Sequence, residues 1–226
     1  MLEKQPVPHG ILTPTQQEFL THFATLPDSK AFYLTGGTAL AEFYFGHRLS
    51  FDLDFFTTET GLIRPFSLLM EDALRQHGFT LKPVRRMETF AEYEAQSGGT
   101  SVRIQLAYDS PFRFAPPMRT PLGLVNDYLD LTVDKLLAFF GRAEPRDAVD
   151  LYFILQETDF RELFDMAARK DPGFDLYWMA HALMKVSSFP DEGERWPVQV
   201  LKPFDAVALK QQFADLAHRL LADIQR

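Results

Sequence analysis

The chain has 226 residues and no cysteine, and its 31 acidic side chains outnumber 23 basic ones, for a net charge of −8. That length fits one large domain or two small ones, and the missing cysteine excludes disulfides and thiolate metal sites. The acidic balance excludes a general nucleic-acid coat, which needs a positive field, though a local basic groove stays open. A hydrophobic fraction of 46% with 22 Phe predicts a core rich in aromatic rings. The opening stretch MLEKQPVPHGILTP has no apolar run of the signal-peptide kind, and no segment nears the ~20 consecutive apolar residues of a membrane span. The expectation is a soluble, cytoplasmic protein without a membrane partner.

Phe19, Leu20, Phe23 and Leu26 recur at helical spacing, which predicts a helix from Thr15 to Leu26 with Thr13 or Thr15 as N-cap. Ala31 to Thr35 reads as a short buried strand that breaks at Gly36-Gly37, and Thr38 to Phe45 as a helix closed by Gly46. After a polar loop, His47 to Ser50, the run FDLDFF predicts a strand over Phe51 to Phe56. Pro65 to His77 is an amphipathic helix. Phe79 to Val84, Met87 to Ala95 and Thr100 to Tyr108 read as strands, the last two joined by Ser97-Gly98-Gly99. The proline-rich segment Ser110 to Gly123 is the candidate boundary. Beyond it helices are expected over Thr132 to Phe140, Pro145 to Gln156, Phe160 to Arg169, Leu176 to Val186 and Ala206 to Ile224, with a polar loop over Phe189 to Pro203. Strands first and helices later predict an α+β half followed by a helical half.

The informative stretch is LTGGTALAEFYFGHRLSFDLDFF, Leu34 to Phe56. Glycines at Gly36 and Gly37 let the backbone approach a ligand, and the following helix start offers unpaired N–H groups suited to phosphate, with Thr38 as a further donor. Alone, this is equally a tight strand-to-helix turn. Asp52 and Asp54 alternate with Phe51, Leu53 and Phe55, so both carboxylates leave one strand face while the apolar set enters the core. Two adjacent carboxylates repel, and a hard divalent ion such as Mg²⁺ relieves that, with substrate phosphates completing its shell. His47, Arg48 and Ser50 lie between the two features and suit a triphosphate, although His47 and Arg48 equally suit the C-terminus of a helix.

A second cluster is DKLLAFFGRAEPRDAVDL, Asp134 to Leu151. Val133, Leu136, Leu137 and Phe140 form an apolar stripe, Lys135 falls away from it, and Arg142 shares the Lys135 face. Asp147 and Asp150 share a face of the next helix. A short turn brings Lys135, Arg142, Arg146, Asp147 and Asp150 toward one another. A purely structural Arg142–Asp147 pair across the turn accounts for part of this equally well.

The order GG-T, HR-x-S, D-x-D-F-F resembles the first motif of polymerase-β-type nucleotidyltransferases, and more closely that of the AbiEii/AbiGii toxin family. Lys135, Ala138, Arg142, Arg146, Asp147, Asp150 and Leu151 fit the family's K-x-x-A-x-x-x-R and R-D-x-x-D-L elements, so the likeness spans roughly residues 30–155. It implies a mixed sheet with flanking helices as a nucleotidyltransferase core over residues 1–120, and a helical domain over 121–226 carrying the second motif. It also implies transfer of a nucleoside monophosphate from an NTP to a tRNA 3′ end or a protein hydroxyl, in a toxin–antitoxin setting with an antitoxin partner. Catalytic roles fall to Asp52, Asp54, Lys135, Asp150 and Asp147, and nucleotide binding to Gly36, Gly37, Thr38, Arg48, Ser50, Lys135 and Arg142. The metal, Mg²⁺ or Mn²⁺, falls to Asp52 and Asp54. Such sites often take a third carboxylate from a neighbouring strand. Here Gln105 stands there, which keeps a degenerate binding protein of the same fold as the alternative. Arg85, Arg86, Arg103, Arg113 and Arg119 are candidates for an RNA groove or, equally, a scattered solvated surface.

Overall fold

A computed structural model describes residues 4–224; Met1–Glu3, which begin the stretch read for a signal peptide, lie outside it. Helix α1 (Pro14–Phe23) opens on Thr13, whose hydroxyl accepts from Gln16 N while the Gln16 amide oxygen accepts from Thr13 N. This capping box satisfies two of the N–H groups that a helix start leaves unpaired. The helix stops at Phe23, and the chain turns through Leu26 before reaching strand β1 (Tyr33–Thr35). Helix α2 (Gly36–Leu40) begins on the first glycine itself and widens into a π-helical turn, Ala41–Phe45, closed by Gly46 in the left-handed region.

The wide turn changes who bonds the helix backbone. Gly46 N donates to Ala41 O, five residues back. Glu42 O and Phe43 O instead accept from His9 N and Val7 N, both at 2.8 Å. The buried Glu42 carboxylate accepts in turn from Gly10 N and Ile11 N. The segment before α1 is thus a strap laid along the helix that follows the glycine turn.

Strand β2 (Asp52–Thr57) comes next, then α3 (Ile63–Gln76), β3 (Thr80–Arg86), β4 (Phe90–Ser97), β5 (Thr100–Tyr108), β6 (Met118–Thr120) and β7 (Gly123–Val125). The described strands make a seven-stranded mixed sheet in the order β3-β4-β5-β2-β1-β7-β6. β2 sits mid-sheet, antiparallel to β1 and parallel to β5. Gly98 and Gly99 both take positive φ in the β4–β5 turn, as a tight hairpin asks of its two central residues. The sheet runs past the proline-rich segment, because β7 returns to pair in parallel with β1.

One sheet face holds the predicted aromatic core. Phe55 stacks on Phe23 at 4.0 Å between centroids, and Phe19, Phe32, Phe66 and Phe79 pack around them from α1, α3 and the neighbouring loops. Leu53 joins this face but Phe51 does not: it precedes the strand and is 53% exposed.

The chain divides into two compact units, Lys4–Tyr128 and, beyond it, residues 129–224. The second is built from helices α4 (Tyr128–Arg142), α5 (Pro145–Glu157), α6 (Phe160–Lys170), α7 (Leu176–Lys185) and α8 (Ala206–Ile224). Phe139 of α4 meets Phe213 of α8 edge to face, and Val149, Leu163, Met179 and Leu216 fill the same interior. Phe139 of α4 is fully buried, whereas Leu137 and Phe140, placed on the predicted apolar stripe, are only half-buried. At the end of α6, Lys170 Nζ bridges Asp130 at 2.8 Å and Asp134 at 2.6 Å on α4. The polar loop after α7 is anchored by Trp196, packed on Phe189 and Phe204, with its indole N–H donating to Pro190 O. No helix of the described residues is long and apolar enough to cross a membrane.

Candidate active site

The glycine turn and the paired carboxylates meet at the junction of β1, α2 and β2. Thr35 faces Asp54 across the β1–β2 ladder, so Gly36 follows directly against the acid. A Cβ on Gly36 would lie 2.3 Å from Asp54 Oδ2, and this glycine also holds φ of +72°. A Cβ on Gly37 would lie 2.6 Å from Arg48 Nη2 and 2.7 Å from Ser50 Oγ. The two glycines therefore make room for a carboxylate on one side and for a guanidinium and a hydroxyl on the other. Arg48 is buried, and its Nη1 donates to Leu49 O. His47, also buried, lies against the Phe45 ring. The Thr38 hydroxyl donates to Asp52 O, tying α2 to the carboxylate strand.

Strand register extends the site sideways. Asp52 is level with Arg103 and Asp54 with Gln105 on β5, and these are level with Glu94 and Glu92 on β4. Lys82 and Arg85 on β3 complete the two rows. One row reads Lys82, Glu94, Arg103, Asp52; the other Arg85, Glu92, Gln105, Asp54, Thr35. Arg103 Nη2 donates to Asp52 Oδ2 in an ion pair, and this contact holds the guanidinium pKa above its ordinary value. Arg85 pairs with Glu92 at 3.5 Å. The first row thus alternates in sign, while the second carries an amide beside Asp54.

Residue by residue, the unit 4–128 brings together Gly36, Gly37, Arg48, Ser50, Asp52 and Asp54. Of the arginines considered for an RNA groove, four have acidic partners: Arg85 with Glu92, Arg86 with Glu71, Arg103 with Asp52 and Arg113 with Asp127. The Arg103–Asp52 pair was invisible in the sequence, because strand register is a long-range property. Only the shared parity of Arg103 and Gln105 hinted at it.

The second motif lies in the helical unit. Lys135 Nζ is 2.9 Å from Asp150 Oδ2, with side chains 8% and 0% exposed. Lys135 thus does not point away from the interior as its place on the helical wheel suggested. The Asp150 carboxylate draws it inward. Arg142 grips the buried Asp147 with two bonds of 2.6 and 2.7 Å, and that contact raises the guanidinium pKa. Arg146 pairs with Glu144 at 3.0 Å, outside both of those pairs.

A family model described as "Nucleotidyl transferase AbiEii toxin, Type IV TA system" matches residues 18–182. The chain belongs to the AbiEii nucleotidyltransferase toxin family. The match takes in the glycine turn, the paired carboxylates and the second motif alike. Solved structures share the fold. An H. pylori protein described as a nucleotidyltransferase superposes with a TM-score of 0.63 at 16% identity, covering 95% of this chain and 98% of that one. The Mycobacterium tuberculosis nucleotidyltransferase toxin MenT4 gives 0.57 at 15% identity, over 92% and 82%. JHP933 from Helicobacter pylori gives 0.56 at 16%, over 92% and 90%. No curated protein matches the sequence.

The donors at this junction are of the kind a divalent ion takes. Asp52 and Asp54 offer hard carboxylate oxygens from one face of one rigid strand, and Gly36 keeps a flank of Asp54 clear. Among the described residues no group of three or more acids or histidines converges. The pair fits a Mg²⁺ held by two carboxylates whose remaining ligands are water and substrate phosphate.

Proposed function

We propose that this AbiEii-family chain transfers a nucleoside monophosphate from an NTP to an acceptor hydroxyl, at a tRNA 3′ end or on a protein. The acceptor oxygen bonds the α-phosphorus, the α–β phosphoanhydride breaks, and pyrophosphate leaves with the bridging oxygen while the acceptor proton passes to a base. The observation that carries this reading is the glycine turn wedged between Asp54 on one side and Arg48 with Ser50 on the other. Asp52 and Asp54 hold the metal. Bound Mg²⁺ (or Mn²⁺) supplies Lewis-acid stabilisation of the attacking and leaving oxygens. Gly36 and Gly37 present backbone N–H groups to the phosphates, and Arg48 and Ser50 add a charge and a hydroxyl. Thr38 serves by holding α2 to β2.

Lys135, Arg142, Asp147 and Asp150 enter on the family resemblance. Lys135 is the triphosphate's counter-charge. The 2.9 Å ion pair supports Asp150 as the residue that positions it, and Arg142 does the same for Asp147. The resemblance also supports a cytoplasmic toxin restrained by a separate antitoxin protein.

The test is calorimetry of the four NTPs with Mg²⁺ on wild type, Asp52→Asn and Asp54→Asn. Binding that needs both metal and acids, followed by pyrophosphate release with total RNA or protein, is the expected result. Wild-type-like transfer by both variants would overturn the assignment. A second reading, a member that binds nucleotide or a partner without transfer, is favoured by Gln105 beside Asp54. It predicts NTP binding with no pyrophosphate from any acceptor.

A further inference from the structure

Arg103 takes no part in the proposed transfer, yet it is the side chain bonded to one of the two carboxylates proposed to hold the metal. Its position is fixed by register: β5 places it level with Asp52 on one side and Glu94 on the other. It sits between two acids and has one to move to when it leaves the first. The side chain is 46% exposed, so beyond its pair with Asp52 it has solvent to swing through. Two residues on, Gln105 offers Asp54 a neutral amide where a third acid would add a charge.

The charges around the carboxylates follow from this. Asp52 and Asp54 contribute two negative charges, and Arg48 and Arg103 contribute two positive ones. One strand further out Glu94 and Glu92 are matched by Lys82 and Arg85 on β3, so with Gln105 neutral the two rows and Arg48 are near balance before any nucleotide arrives. A divalent ion gains less in such a field, because the two guanidinium groups repel it and offset part of the attraction of the two carboxylates. An NTP adds several negative charges and changes the sign of the balance.

Resting on the nucleotidyltransferase reading, we propose that Arg103 is a built-in counter-cation that, with Gln105, keeps Asp52 and Asp54 from holding a divalent ion until a nucleoside triphosphate brings it. Asp52 exchanges the Arg103 guanidinium for the metal of a metal–nucleotide complex, and Arg103 turns toward Glu94. Arg103 is therefore a positioning residue for the order of addition. No bond to it is made or broken in the transfer.

The experiment is a Mn²⁺ titration followed by the electron paramagnetic resonance signal of the free ion, at fixed ionic strength. Wild type, Arg103→Gln, Arg103→Lys and Gln105→Glu are compared with Mn²⁺ alone and with Mn²⁺ plus an equimolar mixture of α,β-methylene triphosphates of the four bases. Wild type is expected to hold Mn²⁺ tightly only with nucleotide. Removing one positive charge about 6 Å from a divalent ion near a wet surface tightens Mn²⁺ alone by about tenfold in Arg103→Gln. Gln105→Glu tightens it as well, and Arg103→Lys, which keeps the charge, stays near wild type. Adding Asp52→Asn to Arg103→Gln removes the gain, which locates it at Asp52. Equal affinity of wild type and Arg103→Gln for Mn²⁺ alone would overturn the proposal while leaving nucleotidyl transfer standing. No Mn²⁺ binding by wild type even with nucleotide would overturn both.

Discussion

The two glycines invite opposite substitution outcomes, although they are neighbours. Gly36 holds φ of +72°, where an L-residue costs roughly 1–2 kcal/mol, and its added methyl would strike Asp54 Oδ2 at 2.3 Å. Asp54 cannot retreat by a backbone shift, because β2 is hydrogen-bonded on both sides. Gly36→Ala should therefore lose about 2 kcal/mol or more of stability along with metal binding. Gly37 has an ordinary helical φ, and alanine in a helix gains up to about 1 kcal/mol over glycine. Its methyl meets only the far ends of Arg48 and Ser50, at 2.6 and 2.7 Å, and these side chains give way. Gly37→Ala should keep its stability within about 1 kcal/mol. It should lose one charge-assisted hydrogen bond to the triphosphate, about 1.5–3 kcal/mol, or roughly ten- to a hundredfold in affinity. Urea unfolding measures the first quantity and NTP calorimetry the second. Nucleotide affinity unchanged in a well-folded Gly37→Ala would refute the placement of Arg48 and Ser50 at the phosphates.

The Lys135–Asp150 pair separates structure from function in a double-mutant cycle. Lys135→Met removes the 2.9 Å ion-pair partner of a buried carboxylate and should cost about 3 kcal/mol, most of it recovered in Lys135→Met/Asp150→Asn, which should still fail to transfer. Full transfer by the stable double variant would assign the pair to folding alone. Lys170 carries a pH signature. Burial pulls its pKa down, but Asp134 and Asp130 outweigh that and hold it above the ordinary value. A raised folded pKa means a contribution fully present below the unfolded value of about 10.4 and lost as pH rises through the folded one. Urea midpoints should fall above about pH 10.5 more steeply for wild type than for Lys170→Met; parallel slopes would remove Lys170 from the account.

What the sequence disclosed followed the range of each interaction. Thr100 to Tyr108, which follows two glycines and alternates along its length, is a strand to the residue. The Asp52/Asp54 face was legible because strand parity is local, but Phe51 was not, because one residue at a strand end decides its side. β6 and β7 have three residues each, too few to show a period, and β7 exists only through its pairing with β1. The burial of Lys135 depended on an acid 15 positions away, and the Arg103–Asp52 pair on the register of strands some 50 residues apart. The π-helical turn has no composition of its own to read.

That turn has a practical consequence. A helix widened there leaves carbonyls turned aside from its own ladder, and the donors that reach them come from Val7 and His9. Residues 7–11 include none of the proposed site residues, yet they act as a splint on the helix that issues from Gly36 and Gly37. A chain cut between His9 and Thr13 would have its glycine turn disturbed from behind, with every proposed site residue still present.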